Sequence, residues 1–177
     1  MGPVIALAGF MGSGKSSTGR KIASSMLWSF ADTDRIVEEQ EGSTVPELFE
    51  QKGEDYFRKA ETRALRTVSE RSKTVIACGG GTPCSAENME IMKSTGVTVY
   101  LKLPSGALAS RLLKSRKNRP LLRGTGETDM NERVRELLDR RTGWYEQADL
   151  VLDGMNDSVE EMTAAIAGLV RSRGAYL

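Results

Sequence analysis

One stretch near the amino terminus combines the residue types and the spacing of a phosphate-binding loop. The sequence GFMGSGKS, from Gly9 to Ser16, matches the pattern G-x-x-x-x-G-K-[ST]. Its glycines allow successive backbone N–H groups to point at one set of anionic oxygens. Lys15 then reaches the β- and γ-phosphates, and the Ser16 hydroxyl ligates Mg²⁺. A chance glycine-rich turn is the alternative, but the surrounding sequence favours a nucleotide phosphate site.

The residues on either side of this loop predict the elements that hold it. The run from Val4 to Ala8 is continuously apolar, as expected of a parallel strand buried on both faces. A helix is predicted from about Gly14 to Met26. Its positive dipole end would then lie under the same phosphates.

Two carboxylates, Asp32 and Asp34, follow the next short apolar piece, residues 27–31. Ligands bind at the carboxyl ends of strands in open α/β sheets. Capping of a helix from Arg35 to Gln40 is the alternative, and it would account for one aspartate. Beside a phosphate-binding loop we interpret the pair as contacts to Mg²⁺ and to a substrate hydroxyl, because Mg²⁺ needs hard oxygen ligands.

Two further stretches carry candidates. Residues 45–72 have a helical pattern separated at Gly53, and Arg58 adjoins the buried face, although spacing alone favours a solvated or salt-bridged arginine. Glycines 79–81 follow the apolar run 74–78. They predict either a flexible turn or a close approach of a ligand to the backbone, and the phosphate-binding loop favours the ligand.

A basic, glycine-bearing loop at residues 114–126 interrupts the helical pattern. A loop of this length is either a solvated surface segment or a mobile lid that brings arginine charge over phosphates, and we favour the lid. The charged helix predicted over 129–147 carries Arg141 beside its apolar face. That position makes Arg141 less easily explained as a surface residue.

Composition excludes several functional classes. With 177 residues and 39% hydrophobic residues, the chain fits one domain, 1–177. A net charge of +1 provides no basic field for a nucleic acid, so none is expected as a partner. The sequence has no histidine, so acid–base chemistry must fall on carboxylates. Its two cysteines are too few for a structural zinc site, and Cys78 is interpreted as a core residue.

No segment approaches the ~20 apolar residues of a membrane span, and the amino terminus lacks the pattern of a signal peptide. We therefore expect a cytoplasmic protein without a membrane partner. Strands alternate with helices along the chain. This alternation predicts an α/β fold with a parallel sheet covered by helices on both faces.

The ordered set of motifs resembles the shikimate kinases, small P-loop kinases related to the nucleoside monophosphate kinases. The resemblance covers nearly the whole chain. A phosphate-binding loop alone is shared by many families, but this ordered set is highly specific. It consists of the loop from Gly9 to Ser16, Asp32-Thr33-Asp34, Leu48-Phe49 followed by Gly53-Glu54 and Phe57-Arg58, Gly79-Gly80-Gly81, Arg119-Pro120-Leu121-Leu122 and Arg141-x-x-x-Tyr145.

The resemblance implies a five-stranded sheet of order 2-3-1-4-5, a substrate-binding region around residues 34–61 and a mobile lid. It implies a monomer that uses MgATP to phosphorylate the 3-hydroxyl of shikimate, in the route to chorismate and the aromatic amino acids. Matched by position, the substrate contacts are Asp34, Arg58, Gly80 and Arg141. The nucleotide contacts are Gly12, Ser13, Gly14, Lys15, Ser16, Ser17 and the lid arginine, Arg119.

The resemblance also assigns roles in catalysis. Asp34, Lys15 and Arg119 are the implied catalytic residues, and Ser16 with Asp32 holds the Mg²⁺. The chemistry agrees, because shikimate is a hydroxylated carboxylate. Arg58 and Arg141 suit its carboxylate, and Asp34 suits a hydroxyl.

Some alternatives remain at this point. Gluconate is also a hydroxylated carboxylate, so a gluconate kinase is the nearest rival. A nucleotide-dependent switch is disfavoured, because the sequence lacks an N-K-x-D-like motif and an Asp-x-x-Gly after the strand at residues 74–78. The resemblance also implies a residue that stacks on adenine, and it leaves Arg111, Lys114 and Arg116 as the candidates.

Overall fold

A five-stranded parallel sheet forms the centre of the structure, a computed structural model that describes residues 3–115, 120–122 and 127–173. The strand order is β2-β3-β1-β4-β5, and every pairing is parallel, as predicted. The strands are β1 (Val4–Ala8), β2 (Ser29–Asp32), β3 (Thr74–Ala77), β4 (Gly96–Lys102) and β5 (Leu150–Asp153).

Helices follow the strands in the predicted alternation. A short 3₁₀ turn at Pro120–Leu122 lies between the fifth and sixth helices. The helices are α1 (Lys15–Met26), α2 (Thr33–Glu41), α3 (Val45–Ser69), α4 (Ala86–Thr95), α5 (Ser105–Lys114), α6 (Glu127–Tyr145) and α7 (Val159–Ser172).

Burial along β1 shows that both faces of the sheet are covered. All five of its residues are at most 2% exposed, and they belong to the main hydrophobic core. The strand lies between β3 and β4, where Leu7 pairs with Ala77 and with Val99. Because all strands run in one direction, the segments that follow β1, β2 and β3 emerge at the same edge of the sheet.

A second, smaller core joins α2 to α3. It consists of the buried side chains Val37, Leu48, Phe57, Ala60 and Ala64. Its members from α3 include part of the apolar face that the spacing predicts, so the helical pattern there is confirmed.

Helix α3 is bent where the sequence predicts a break. Gly53 has φ 81° and ψ 171°, outside the helical region, and separates two helical arms. The first arm begins with a capping box, in which Thr44 and Glu47 satisfy each other's backbone N–H groups, and with a proline in the first turn. The second arm carries Arg58.

Within the described residues, no helix is long and apolar enough to cross a membrane.

The start of β2 differs from the sequence prediction. The apolar piece 27–31 predicts a strand over those residues, but β2 begins at Ser29. Leu27 instead ends α1 in the left-handed region, with φ 56° and a side chain 93% exposed. Its backbone N–H donates to carbonyls of the last turn of α1. The need to terminate the helix here outweighs the apolar character of the side chain.

Leu27 therefore offers a test of local strain. Glycine adopts positive φ without a Cβ clash, so Leu27→Gly should raise the free energy of unfolding by about 0.5–1 kcal/mol. Urea unfolding followed by circular dichroism measures the change. Leu27→Ala removes the exposed apolar side chain but keeps the Cβ, so it should give no comparable gain. An equal gain for both variants would attribute the effect to hydrophobic exposure instead.

Candidate active site

The loop between β1 and α1 has the shape that its glycines predict. Gly12 and Gly14 have φ 81° and 98°, values that other residues rarely adopt. Lys15 is 9% exposed, and its Nζ donates to the carbonyl oxygens of Gly9 at 2.8 Å and Phe10 at 2.9 Å. The ammonium group therefore lies within the curve of the loop, at the start of α1. This arrangement offers backbone N–H groups and a cation to one anion.

Ser16 and Asp32 lie together at the same sheet edge. The Ser16 hydroxyl donates to Asp32 Oδ2 at 2.6 Å. Asp32 Oδ1 accepts from the backbone N–H groups of Asp34 at 3.2 Å and Arg35 at 3.5 Å, so Asp32 also caps α2. The capping interpretation is thus correct for Asp32, and it coexists with a pair of oxygen donors beside the phosphate-binding loop. Two adjacent hard oxygens suit Mg²⁺, which usually takes few protein ligands.

Glycines 79–81 are the point at which the candidate side chains meet. A Cβ at Gly79 would collide with Asp34 Oδ1 and Glu61 Oε1, and one at Gly81 would collide with Arg58 Nη1. A Cβ at Gly80 would lie 3.2 Å from Met11 N and 3.4 Å from Arg141 Nη1. None of the three glycines has a positive φ, so close approach rather than backbone freedom explains them.

Two hydroxyl groups hold this glycine run in place. Gly79 N donates to Thr33 Oγ1 at 2.8 Å, which joins the start of α2 to the end of β3. The Tyr145 hydroxyl donates to the Gly80 carbonyl at 2.5 Å, and its side chain is fully buried. Burial raises the pKa of Tyr145, so the phenol stays protonated as a donor. The candidate site is therefore fixed from α2 and from the end of α6.

Arg58 is an ion-paired residue, as its spacing suggests, but it also faces the glycine run. Its Nη1 donates to Glu61 Oε2 at 2.8 Å and its Nη2 to Glu54 Oε1 at 2.8 Å. Burial opposes the charge of Arg58, yet Glu61 and Glu54 outweigh that effect and hold its pKa above the usual value. The guanidinium is consequently cationic at every physiological pH.

Glu61 is a site residue that the sequence reasoning missed. It is only 1% exposed, and its Oε1 accepts from Thr82 Oγ1 at 2.5 Å. A buried charge is costly unless it is paired and hydrogen-bonded, and here both carboxylate oxygens have partners. The available signal was an acidic residue on the apolar face of α3, three residues after Arg58.

Arg141 presents an unsatisfied donor. Its buried Nη1 has no hydrogen-bond partner among the described residues, and its guanidinium carbon lies 5.8 Å from the centre of the Phe10 ring. A buried donor without an acceptor costs about 1–3 kcal/mol. An anionic ligand would remove this cost, so the geometry points to a carboxylate or phosphate beside Arg141.

A cleft of about 650 Å³ brings the two arginines together. Arg58 comes from α3 and Arg141 from α6, and Gly81 and Cys84 also line the cleft. Five cationic and two acidic side chains line the cleft, so its net positive charge favours binding of an anion. The cationic side chains are Arg58, Lys59, Arg63, Arg66 and Arg141, and the acidic ones are Glu54 and Glu87.

Part of the predicted site lies outside the described residues. Arg119 and Arg116 are among these, together with much of the proposed lid at 114–126. Of the other candidates for an adenine contact, Arg111 lies against the phosphate-binding loop, where its Nη1 donates to the Ser13 carbonyl at 3.1 Å. Lys114 is the exposed last residue of α5.

Comparison with known proteins places these features in a family. The family model described as shikimate kinase matches residues 11–170. The shikimate kinase of Caldanaerobacter subterraneus subsp. tengcongensis is 38% identical over 162 residues, which are 92% of this chain and 92% of that protein. The shikimate kinase of Chlorobium phaeovibrioides is 37% identical over 97% of this chain and 91% of its own length.

Solved structures give the same result. The shikimate kinase of Acinetobacter baumannii in complex with shikimate superposes with a TM-score of 0.87 at 34% identity, over 97% of this chain and 94% of that one. A gluconokinase of Sinorhizobium meliloti has a TM-score of 0.63 at 20% identity, over 97% of this chain and 95% of that one. At that identity the second match shows a shared fold and no more.

The two cysteines provide a test of the cleft wall. Cys78 is 1% exposed, as predicted for a core residue, whereas Cys84 is partly exposed in the cleft. Burial raises the pKa of both thiols, so little thiolate is present near neutral pH. Iodoacetamide should therefore label Cys84 alone in the folded protein, slowly near pH ~7 and faster above pH ~9, as read by peptide mass spectrometry.

The matched control is Cys84→Ser. This variant should take up no label when folded and one label, on Cys78, in concentrated urea. Equal labelling of both cysteines in the folded wild type would contradict the described burial of Cys78.

Proposed function

This chain belongs to the shikimate kinase family, and we propose that it transfers the γ-phosphate of ATP to the 3-hydroxyl of shikimate. The product would be shikimate 3-phosphate, in the route to chorismate and the aromatic amino acids. One observation carries the proposal. Arg58 and the unsatisfied Arg141 line a single cleft, and Gly79–Gly81 connect that cleft to Asp34 and to the phosphate-binding loop.

The substrate end of the cleft suits a carboxylate that carries hydroxyl groups. The guanidinium groups of Arg58 and Arg141 would hold the carboxylate of shikimate through charge-assisted hydrogen bonds. Gly80 would offer its backbone N–H, because it has no side chain in the way. Asp34, which shares the space over Gly79 with Glu61, would accept a hydrogen bond from the 3-hydroxyl.

The nucleotide end follows from the phosphate-binding loop. Backbone N–H groups from Gly12 to Ser17 would hold the phosphates of ATP at the start of α1. Lys15 would move from the loop carbonyls that it contacts to the β- and γ-phosphate oxygens. Arg119 is proposed as a further cation on the transferred group, by resemblance alone.

Ser16 and Asp32 fit the Mg²⁺ that kinases of this type use. Their oxygens are 2.6 Å apart and are the hard donors that Mg²⁺ prefers. Ser16 would ligate the ion directly, and Asp32 would hold its water shell. When bound, Mg²⁺ offsets the negative charge of the β- and γ-phosphate oxygens.

Asp34 is proposed as the base. The oxygen of the 3-hydroxyl would form a bond to the γ-phosphorus while the bond to the bridging oxygen of ADP breaks, and the hydroxyl proton would pass to the carboxylate of Asp34. The transition state is loose, so the proton can leave late. The absence of histidine from the sequence leaves this role to a carboxylate. Both substrates are small molecules, and a monomer without nucleic acid or membrane suffices.

A coupled assay of ADP release tests the function. Shikimate added to enzyme, ATP and Mg²⁺ should give saturable ADP release, and omission of Mg²⁺ should abolish it. Gluconate at the same concentration should leave the rate at the level without acceptor. Stimulation by gluconate but not by shikimate would replace the proposal with the rival kinase activity.

Arg141→Ala should separate binding from folding. Loss of a charge-assisted contact worth about 1.5–3 kcal/mol should raise KM for shikimate by roughly 10- to 100-fold. KM for ATP should change by less than about 3-fold, because Arg141 lies at the substrate end. The free energy of unfolding should fall by only about 1 kcal/mol, because the contacts with Tyr145 and Phe10 are lost while the buried Nη1 has no hydrogen-bond partner among the described residues.

Arg140→Ala is the control for this variant. Arg140 is the exposed neighbour on the same helix, and its loss should alter neither KM. Equal increases in KM for shikimate and ATP in Arg141→Ala would contradict the placement of Arg141.

The two aspartates should differ in their response to Mg²⁺. Asp34→Asn should lower kcat by about 10²-fold or more, with an unchanged Mg²⁺ dependence, because it removes the base. Asp32→Asn still caps α2, but it should raise the Mg²⁺ concentration for half-maximal rate by about 10-fold or more. Rate measurements over a Mg²⁺ series distinguish them. Rescue of Asp34→Asn by excess Mg²⁺ would show that the two roles are exchanged.

A further inference from the structure

We infer that Thr82 is a positioning residue for the substrate arginine Arg58. Its hydroxyl holds Glu61, and Glu61 holds Arg58 against Gly81. The inference rests on the proposed function only in what Arg58 binds. The link from Thr82 to Arg58 stands on geometry alone.

The link consists of two short contacts through one buried carboxylate. Thr82 Oγ1 donates to Glu61 Oε1 at 2.5 Å, and Arg58 Nη1 donates to Glu61 Oε2 at 2.8 Å. Thr82 is 0% exposed and Glu61 is 1% exposed, so the contact between them is shielded from water, whereas the Arg58 side chain is 30% exposed. In a site of low dielectric, each contact to the carboxylate is stronger than it would be at the surface.

The Glu61 oxygen that Thr82 binds faces a second carboxylate, that of Asp34. Glu61 Oε1 and Asp34 Oδ1 both occupy the space that a Cβ at Gly79 would fill. Carboxylates that lie near one point repel each other. The Thr82 hydroxyl offsets part of the charge on Oε1. Without it, Glu61 would rotate away from Asp34 and take its other oxygen away from Arg58.

The backbone around Thr82 is itself anchored. Thr82 N donates to the Gly79 carbonyl at 3.1 Å, and Asn88 Nδ2 donates to the Thr82 carbonyl at 2.8 Å. Asn88 is 4% exposed at the start of α4. The hydroxyl of Thr82 is therefore held from both sides at the position where it meets Glu61.

Arg58 has weaker supports besides Glu61. Its guanidinium carbon lies 5.3 Å from the centre of the Phe57 ring and 6.0 Å from that of Phe49. Its other partner, Glu54, has a side chain that is 50% exposed. An exposed ion pair within one helix contributes at most about 0.5 kcal/mol. If Glu61 turns away, the Arg58 guanidinium is no longer held over Gly81. The cleft then loses one of the two arginines that would bind the carboxylate of the substrate. Thr82 itself is fully buried, so it acts through Glu61 and does not touch the substrate.

The test compares Thr82→Val, which has nearly the same shape but no hydroxyl, with Thr82→Ser, which keeps it. Thr82→Val should raise KM for shikimate by roughly 10-fold and change kcat and KM for ATP by less than about 3-fold. Thr82→Ser should return KM for shikimate to within about 2-fold of the wild type. A substrate-free readout is the order parameter of the Arg58 Nε–H group by NMR, which should fall in Thr82→Val and be kept in Thr82→Ser.

The chain supplies a closely matched control on another part of the sheet. Thr98 is also 0% exposed, its hydroxyl donates to Asp149 Oδ2 at 2.7 Å, and Asp149 Oδ1 pairs with Arg173. Thr98→Val removes the same kind of contact near the start of β4, away from the cleft. It should lower Tm while leaving KM for shikimate and the order of Arg58 unchanged.

The outcomes separate this inference from the proposed function. An unchanged KM and an unchanged Arg58 order parameter in Thr82→Val would overturn the inference, as would failure of Thr82→Ser to restore them. Equal losses for shikimate and ATP, matched by Thr98→Val, would overturn it in favour of general destabilisation. If the wild type released no shikimate-dependent ADP while Arg58 lost order in Thr82→Val, the proposed function would fail and the role of Thr82 would stand.

Discussion

Close approach at three consecutive glycines is the constraint on which the candidate site depends. Side chains from α2, α3 and α6 converge where β3 ends, and each lies where a Cβ at positions 79–81 would stand or close to it. Any other residue at position 79 or 81 would displace a charged group of the site. The parallel sheet makes this convergence possible, because it delivers the ends of β1, β2 and β3 to one edge.

The charges around this point are only partly paired, and that imbalance gives the site its chemistry. Glu61 is buried with both oxygens occupied, so it holds Arg58 without leaving a free charge in the interior. Arg141, by contrast, has a buried Nη1 that finds no acceptor in the part of the chain that the structure describes. A carboxylate ligand completes the arrangement, because it supplies an acceptor that the described residues do not provide. The preference for an anionic ligand therefore follows from the hydrogen-bond donor of Arg141 that has no acceptor in the described residues.

Helix α3 is supported by two apolar clusters, because Leu65 and Val68 near its end belong to the main core. It packs on α2 through its own small apolar cluster, and the bend at Gly53 divides it into two arms. Glu41 of α2 joins the arms, since it accepts from Lys52 before the bend and from Tyr56 after it. The hydrogen bond from Tyr56 is the largest of the effects that hold the pKa of Glu41 below its usual value. Glu41 thus links the two arms across the bend, and this link stabilises the position of the arm that carries Arg58.

The sequence by itself determined the phosphate-binding loop, the alternation of strands and helices, and the bend at Gly53. Each of these depends on neighbouring residues or on the short repeat of apolar residues along a helix or strand. The strand order followed from the resemblance, and the structure confirms it. The local pattern gave a wrong strand start at Leu27. This residue ends α1, and the geometry of the helix end outweighs the tendency of its apolar side chain to be buried in a strand. Arg119 and the lid lie outside the described residues and stay predictions.

The resemblance assigned Arg58 and Arg141 to one substrate, but only the tertiary structure shows that they line one cleft and that Glu61 and Thr82 support Arg58. Spacing along α3 favoured a solvated or salt-bridged arginine, and no local signal joined Glu61 to a threonine 21 residues later. Such contacts join residues distant in the chain, and the packing of helices on the sheet brings them together. Helix and strand patterns record which face of an element is buried, but they do not record which side chain it will meet there.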